Sequence, residues 1–155
     1  MIEILKEFLK DLEITKEFKK FKEEAPLAYN TSACYIDKVW QLDFYDPNTD
    51  KMTSFTKKDD EIVSQTSEVF RKEKKDIPEL KIENIKVDLD QVEKLIEQKH
   101  PDKPTNKIII LQQKDNPFWN ITHLTTKLDL LNIKIDAVTG KIVEEKIESA
   151  LNFKK

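Results

Sequence analysis

The sequence predicts an α+β fold, with helices and antiparallel strands in separate stretches of the chain. Three observations predict it. Helical apolar periodicity at residues 2 to 24 and 89 to 98 gives way each time to runs that alternate apolar and polar residues. Those alternating runs are joined by short turns, with no helical crossover between them, which makes the strands antiparallel. The only glycine in 155 residues, Gly140, sits between two β-branched runs in the stretch Ile133 to Lys146. Glycine takes positive φ at no steric cost, so its place there marks a hairpin turn.

Composition narrows the function classes. Charged residues make up 37% and hydrophobic residues 38%, which describes a folded core under a heavily charged surface. The net charge is -3 with acids and bases interleaved, so there is no electrostatic case for binding nucleic acid or an anionic membrane. Arg71 is the sole arginine, which disfavours bidentate recognition of phosphate or carboxylate. A single glycine excludes phosphate-cradling loops and dinucleotide folds. Cys34 is alone, so no intrachain disulfide forms. No apolar run approaches the roughly 20 residues needed to span a bilayer. The N-terminus has no apolar signal region, and the expectation is a soluble, cytoplasmic chain.

In chain order, Leu5, Phe8, Leu9 and Leu12 lie on one helical stripe continued by Phe18 and Phe21. The phase slips near Ile14, where Thr15 can cap a second helical piece, and Pro26 ends it. Residues 27 to 36 and 38 to 46 read as strands, with Trp40, Leu42 and Phe44 on one face; Lys51 to Phe55 reads as the returning strand. Residues 59 to 75 read as a further helix with a thin face of Ile62, Val63, Val69 and Phe70. A seam near residues 76 to 87 divides the chain. Residues 1–75 are a helix plus β-meander unit with a trailing helix, and residues 76–155 a second helix plus meander. Asp88 or Asp90 caps the helix carrying Leu89, Val92, Leu95 and Ile96. Strands are expected at Lys107 to Gln113, Phe118 to Thr126, Leu128 to Asp136 and Lys141 to Lys146. The run Ile108 to Leu111 suits a strand covered on both faces. The tail from Ile147 reads as a helical turn.

The halves also echo one another. Asp46-Pro-Asn-Thr-Asp-Lys51 aligns with Asp136-Ala-Val-Thr-Gly-Lys141 at an offset of 90 (136 − 46), and the same offset sets Tyr29-Asn30 against Trp119-Asn120. The apolar parity of the intervening strands disagrees, since Trp40, Leu42 and Phe44 fall opposite Leu130, Asn132 and Lys134. Such a slip exchanges the faces of a strand and demands a bulge.

At these residues the C-terminal half resembles the PepSY domain family. Phe118-Trp119-Asn120-Ile121-Thr122 supplies the family's tryptophan strand, and Ile133 to Val143 its apolar-x-apolar-Asp-x-x-Thr-Gly-x-apolar hairpin. The helix Leu89 to Gln98 lies where the family has one. The resemblance covers roughly residues 88 to 146. A degraded copy covers roughly 2 to 56, where Asp50 replaces the turn glycine and Tyr29 the tryptophan. It implies tandem cystatin-like repeats with no catalytic residues, a regulatory or peptidase-binding role, and frequently an extracytoplasmic setting.

Candidate chemistry is sparse. Asp46, Asn48 and Asp50 match the first positions of a calcium loop, but Lys51 and Lys57 stand where glycine and a bidentate glutamate are needed. His100 and His123 are the only histidines, and no zinc ligand set exists around them. Cys34 with His123 is a conceivable nucleophile and base, without any elbow to present either. No cofactor or metal is expected. Tyr29, Tyr35, Trp40, Phe118 and Trp119 are candidate partner contacts. Asp46, Asp50, Asp136, Thr139 and Gly140 are read as structural turn residues. The leading expectation is a non-enzymatic module for a protein or peptide partner. The alternatives are a ligand binder or enzyme using a cavity between sheet and helices, and a homodimer pairing through an exposed edge.

Overall fold

The computed structural model describes residues 2–69 and 77–149. Two helices, α1 (Ile2–Glu13) and α2 (Lys16–Glu24), precede four strands, β1 (Tyr29–Ile36), β2 (Val39–Asp46), β3 (Lys51–Lys58) and β4 (Glu61–Glu68). A crossing segment with one 3-10 turn (Ile82–Asn84) leads to α3 (Leu89–Lys99). Four more strands follow: β5 (Pro104–Gln113), β6 (Pro117–Thr125), β7 (Asp129–Asp136) and β8 (Ile142–Ser149). All eight strands form one antiparallel sheet in the order β4-β3-β2-β1-β5-β6-β7-β8. The α+β expectation holds.

Each helix forms where the sequence caps it. The Thr15 hydroxyl accepts from the Phe18 amide at 3.2 Å, and this cap restarts the helix where the apolar phase slips. Asp88 accepts from the Leu89 amide at 2.6 Å while Gln91 reaches back to the Asp88 amide at 3.0 Å, a reciprocal capping box. The Asp88 carboxylate also accepts from the Ile2 amide at 3.2 Å, tying the start of α1 to the start of α3.

The helices bury one stripe each against a single face of the sheet. Leu5, Phe8 and Leu12 of α1, Phe18 of α2, and Leu89, Val92 and Ile96 of α3 join Ala33, Leu42, Phe55, Ile109, Leu111, Trp119, Ile121, Ile133 and Ile135 in one core. Phe18, Phe21, Phe44 and Phe55 pack edge-to-face or tilted at 5.2–6.0 Å between ring centres. On the opposite face, among the described residues, no helix covers the strands.

Four expectations need correction. Residues 61–68 are the edge strand β4, not part of a helix spanning 59 to 75. Asp59 and Asp60 both take positive φ (49° and 66°) and close a two-residue hairpin, after which Ile62, Val63 and Thr66 pair in unbroken register with β3. The part of that proposed helix from Phe70 to Lys75 lies outside the described residues. Ile147 to Ser149 belong to β8 and not to a helical turn; the rest of the tail lies outside the described residues. The strand containing Ile108 to Leu111 is central, as expected, yet only its Ile109 and Leu111 side is covered; Ile108 is 40% exposed.

The offset of 90 also fails as a structural alignment. The Asp46 turn joins the second and third strands of its half, whereas the Asp136 turn joins the third and fourth of the other. That difference explains the parity conflict without a bulge in the apolar strands.

Gly140 has φ +79°, and a Cβ built there would lie 3.5 Å from the Val87 side chain, an ordinary contact. The cost of a substitution is therefore in the backbone. Gly140→Val should destabilise the fold by about 1–3 kcal/mol, read as a lower melting temperature. Gly140→Asn should cost less, because Asp50 already holds the matching turn position with φ 55°.

Candidate functional site

The uncovered sheet face is where this fold leaves side chains available. Along a strand successive residues point to opposite faces, so burying Ala33, Ile109 and Leu111 sends Cys34, Ile36, Ile108 and Ile110 to the open side. The register sets Cys34 against Ile110 and Ile36 against Ile108, making an apolar block across β1 and β5. Ile36 is 43% exposed and is the last residue of β1, one of the two middle strands of the sheet.

Polar ladders flank this block. On one side, Asp43 accepts from Ser32 at 2.8 Å, Ser54 at 2.6 Å and Gln41 at 2.9 Å, spanning β1 to β3. On the other side, the Asn132 amide donates to the Asn120 side chain at 2.8 Å and to Thr122 at 3.0 Å, and Asn120 donates to Gln112 at 3.1 Å. Farther out, Lys134 and Lys146 both hold Glu144 at 2.9 Å, which lowers the Glu144 carboxyl to about 2. These groups satisfy one another, so the face presents fixed polar rows around an apolar centre.

A groove of about 550 Å³ opens on the same face beside β6 and β7, lined by Phe118, Asn120, Lys134, Asp136 and Val143. Asn116 donates to Asp136 within it at 3.0 Å. A smaller cavity of about 220 Å³ lies on the helix side, between the end of α3 and the sheet, and includes Glu93, His100, Lys107 and His123.

The expected contact aromatics separate by face. Trp119 is fully buried and donates from Nε1 to the Val87 carbonyl at 2.9 Å. Trp40 is 8% exposed and packs on Tyr35 at 4.9 Å in the core layer. Both tryptophans are thus core residues. Tyr29 donates its hydroxyl to the Ile77 carbonyl at 2.5 Å and its ring meets Tyr45 edge-on. Of the five, Phe118 lines the open groove.

The turn carboxylates are occupied by their own backbones. Asp136 accepts from the amides of Val138 at 2.7 Å and Thr139 at 3.0 Å; these bonds and Asn116 hold its carboxyl below the usual range against the opposing cost of burial. Asp46 accepts from the Asn48 amide at 3.0 Å and the Thr49 hydroxyl at 2.9 Å, and Asp50 accepts from Tyr45 at 2.6 Å. Among the described residues no cluster of ligands suits a metal ion.

Cys34 and His123 do not form a pair. Cys34 lies on the open face of β1, whereas His123 is on the helix side of β6, where it is 7% exposed. Burial, reinforced by Asp43, pushes the Cys34 thiol up to about 11, which leaves it protonated and a poor nucleophile. His100 ends α3 and bonds Glu145 of β8. The Nε2 of His123 is buried without a hydrogen-bond partner.

What sequence reasoning missed is the apolar centre itself. The signal was the unbroken run Ile108-Ile-Ile-Leu111, with apolar residues on both faces of one strand, and it implied a second cover that the described residues do not supply.

Burial lowers the His123 pKa, with Lys107 adding to the effect. The unfolded chain therefore takes up a proton on this ring at a higher pH than the folded chain does. Stability from this group is present above about pH 6.5 and is lost as pH falls through the folded value. Denaturant titrations from pH 7.5 to 5 should show that loss in the native chain and a smaller one in His123→Gln.

Comparison with known proteins adds the following. None of the curated proteins compared with the chain matches it. The chain is similar in structure to a protein of Clostridium difficile 630 described as "a putative lipoprotein", with a TM-score of 0.60, 14% identity, and coverage of 85% of this chain and 90% of that one. At that identity the likeness is one of fold. Neither this likeness nor the family match supports the cytoplasmic location expected from the N-terminus. No helix among the described residues is long and apolar enough to cross a membrane. Residues 86–146 match the family model described as peptidase propeptide and YPEB domain. The matched stretch runs from the approach to α3 through most of β8.

Proposed function

We propose that the chain is a non-enzymatic binding module that receives a protein or peptide partner on its open sheet face. The observation that carries this reading is the apolar block on the two middle strands, where Ile36 is 43% and Ile108 is 40% exposed. Monomeric proteins seldom leave clustered apolar side chains in water on a central strand unless something covers them. The surrounding polar rows resemble the rim of an interface, with an apolar middle and satisfied hydrogen bonds outside. The cavity-based alternative has less support, because three charged groups lining the groove beside Phe118 are already engaged, Lys134 with Glu144 and Asp136 with Asn116.

The module consists of two repeats, residues 1–75 and 76–155, of PepSY-like and cystatin-like character. The support is an alignment by strand order. Trp40, Leu42 and Phe44 of β2 then fall on Trp119, Ile121 and His123 of β6 at an offset of 79 (119 − 40), and all six are buried. Phe55 of β3 falls on Ile133 of β7 at 78 (133 − 55), again both buried. In this reading the N-terminal copy kept the fold while its sequence diverged.

A displayed library of random peptides, selected on the purified chain, tests the binding role. Selected peptides should lose binding to an Ile36→Asp, Ile108→Asp variant whose melting temperature is unchanged. Binding that survives the variant, or no enrichment at all, would count against the proposal.

A further inference from the structure

Among the described residues β4 and β8 are the outer strands of the sheet, and their edges differ in kind. On β8, Glu144, Glu145, Lys146 and Glu148 crowd the strand and the register slips between Lys134 and Ile135 of its neighbour, so a bulge and charges guard that edge. On β4, the run Ile62-Val-Ser-Gln-Thr-Ser67 carries no charge and no proline. It pairs with β3 residue for residue from Lys58↔Glu61 to Lys51↔Glu68, without a bulge. All of β4 except Ile62 is exposed. A long, regular, uncharged edge offers a row of unpaired backbone groups to another strand.

We propose that β4 pairs antiparallel with β4 of a second copy of this chain, joining two sheets edge to edge about a twofold axis at Gln65. The argument is one of face and charge. Residues directly opposite in an antiparallel pair share a face, so a twofold pairing that keeps both open faces on one side sets a residue opposite itself. Centring on Ser64 would carry the turn residue Asp60 of each copy alongside Glu68 of the other, bringing like charges together at both ends of the seam. Centring on Gln65 sets Ser64 against Thr66, Val63 against Ser67 and Ile62 against Glu68 of the second copy, which moves Glu68 away from Asp60. Gln65 then meets its own counterpart, an amide that can both donate and accept. Pairing of β4 with β8 would instead propagate head to tail into a fibre, and the guarded β8 edge opposes it.

This inference is independent of what the open face binds. Native mass spectrometry and sedimentation equilibrium over rising concentration should show a monomer–dimer equilibrium. Gln65→Lys puts two like charges on the axis and should abolish the dimer without lowering the melting temperature, since residue 65 is exposed. Ile147→Lys on the opposite edge should leave the dimer intact. A Gln65→Cys chain should cross-link to itself under mild oxidation faster than a Glu61→Cys chain. A chain that stays monomeric at all concentrations, a dimer that survives Gln65→Lys, or equal cross-linking of the two cysteine variants would overturn the proposal.

Discussion

The pairing of β1 with β5 is the constraint on which the rest of the structure depends. Five residues of β1, Ser32 to Ile36, lie against Gln112 to Ile108 of β5, and this ladder turns two four-stranded meanders into one sheet. A four-stranded meander with one helix layer buries little; joining two lets three helices share one core. The crossing segment is stitched to both halves: the Leu80 amide donates to the Asn30 carbonyl at 2.8 Å and the Lys81 amide to the Gln113 side chain at 3.0 Å. The same ladder creates the exposed apolar patch, because burying Ala33, Ile109 and Leu111 obliges Ile36, Ile108 and Ile110 to face the other way.

Much of the fold was legible in the sequence. The stripes Leu5, Phe8, Leu12 and Leu89, Val92, Ile96 gave the helical faces, and Thr15 and Asp88 their starts. The hairpin at Gly140 was readable because one glycine in a chain nearly devoid of them can do little else. β4 was misread because its signal is weak. An exposed edge strand has no alternating apolar pattern to display, and Asp59-Asp60 lacks the glycine that usually announces a two-residue hairpin. The charge run after it then resembled a solvated helix end.

The candidate site was less legible, for a physical reason. Tryptophans attract attention as contact residues, but Trp40 and Trp119 are the bulkiest fillers available to a core roofed by three short helices. The side chains left on the surface, Ile36 and Ile108, look in sequence like core. Which face of a central strand is covered depends on where the helices fold back, and periodicity within the strand does not record that. The offset of 90 came from the turn motifs at Asp46 and Asp136, which share chemistry but join different pairs of strands.

Native-state hydrogen exchange measures the central claim most directly. If the β1–β5 ladder unites the two meanders, amides of β1, β2, β5 and β6 should be the slowest to exchange and should share one opening free energy across both halves. Two separate opening energies, one for residues up to 69 and another for those from 77 on, would show that the halves are independent units and contradict the account.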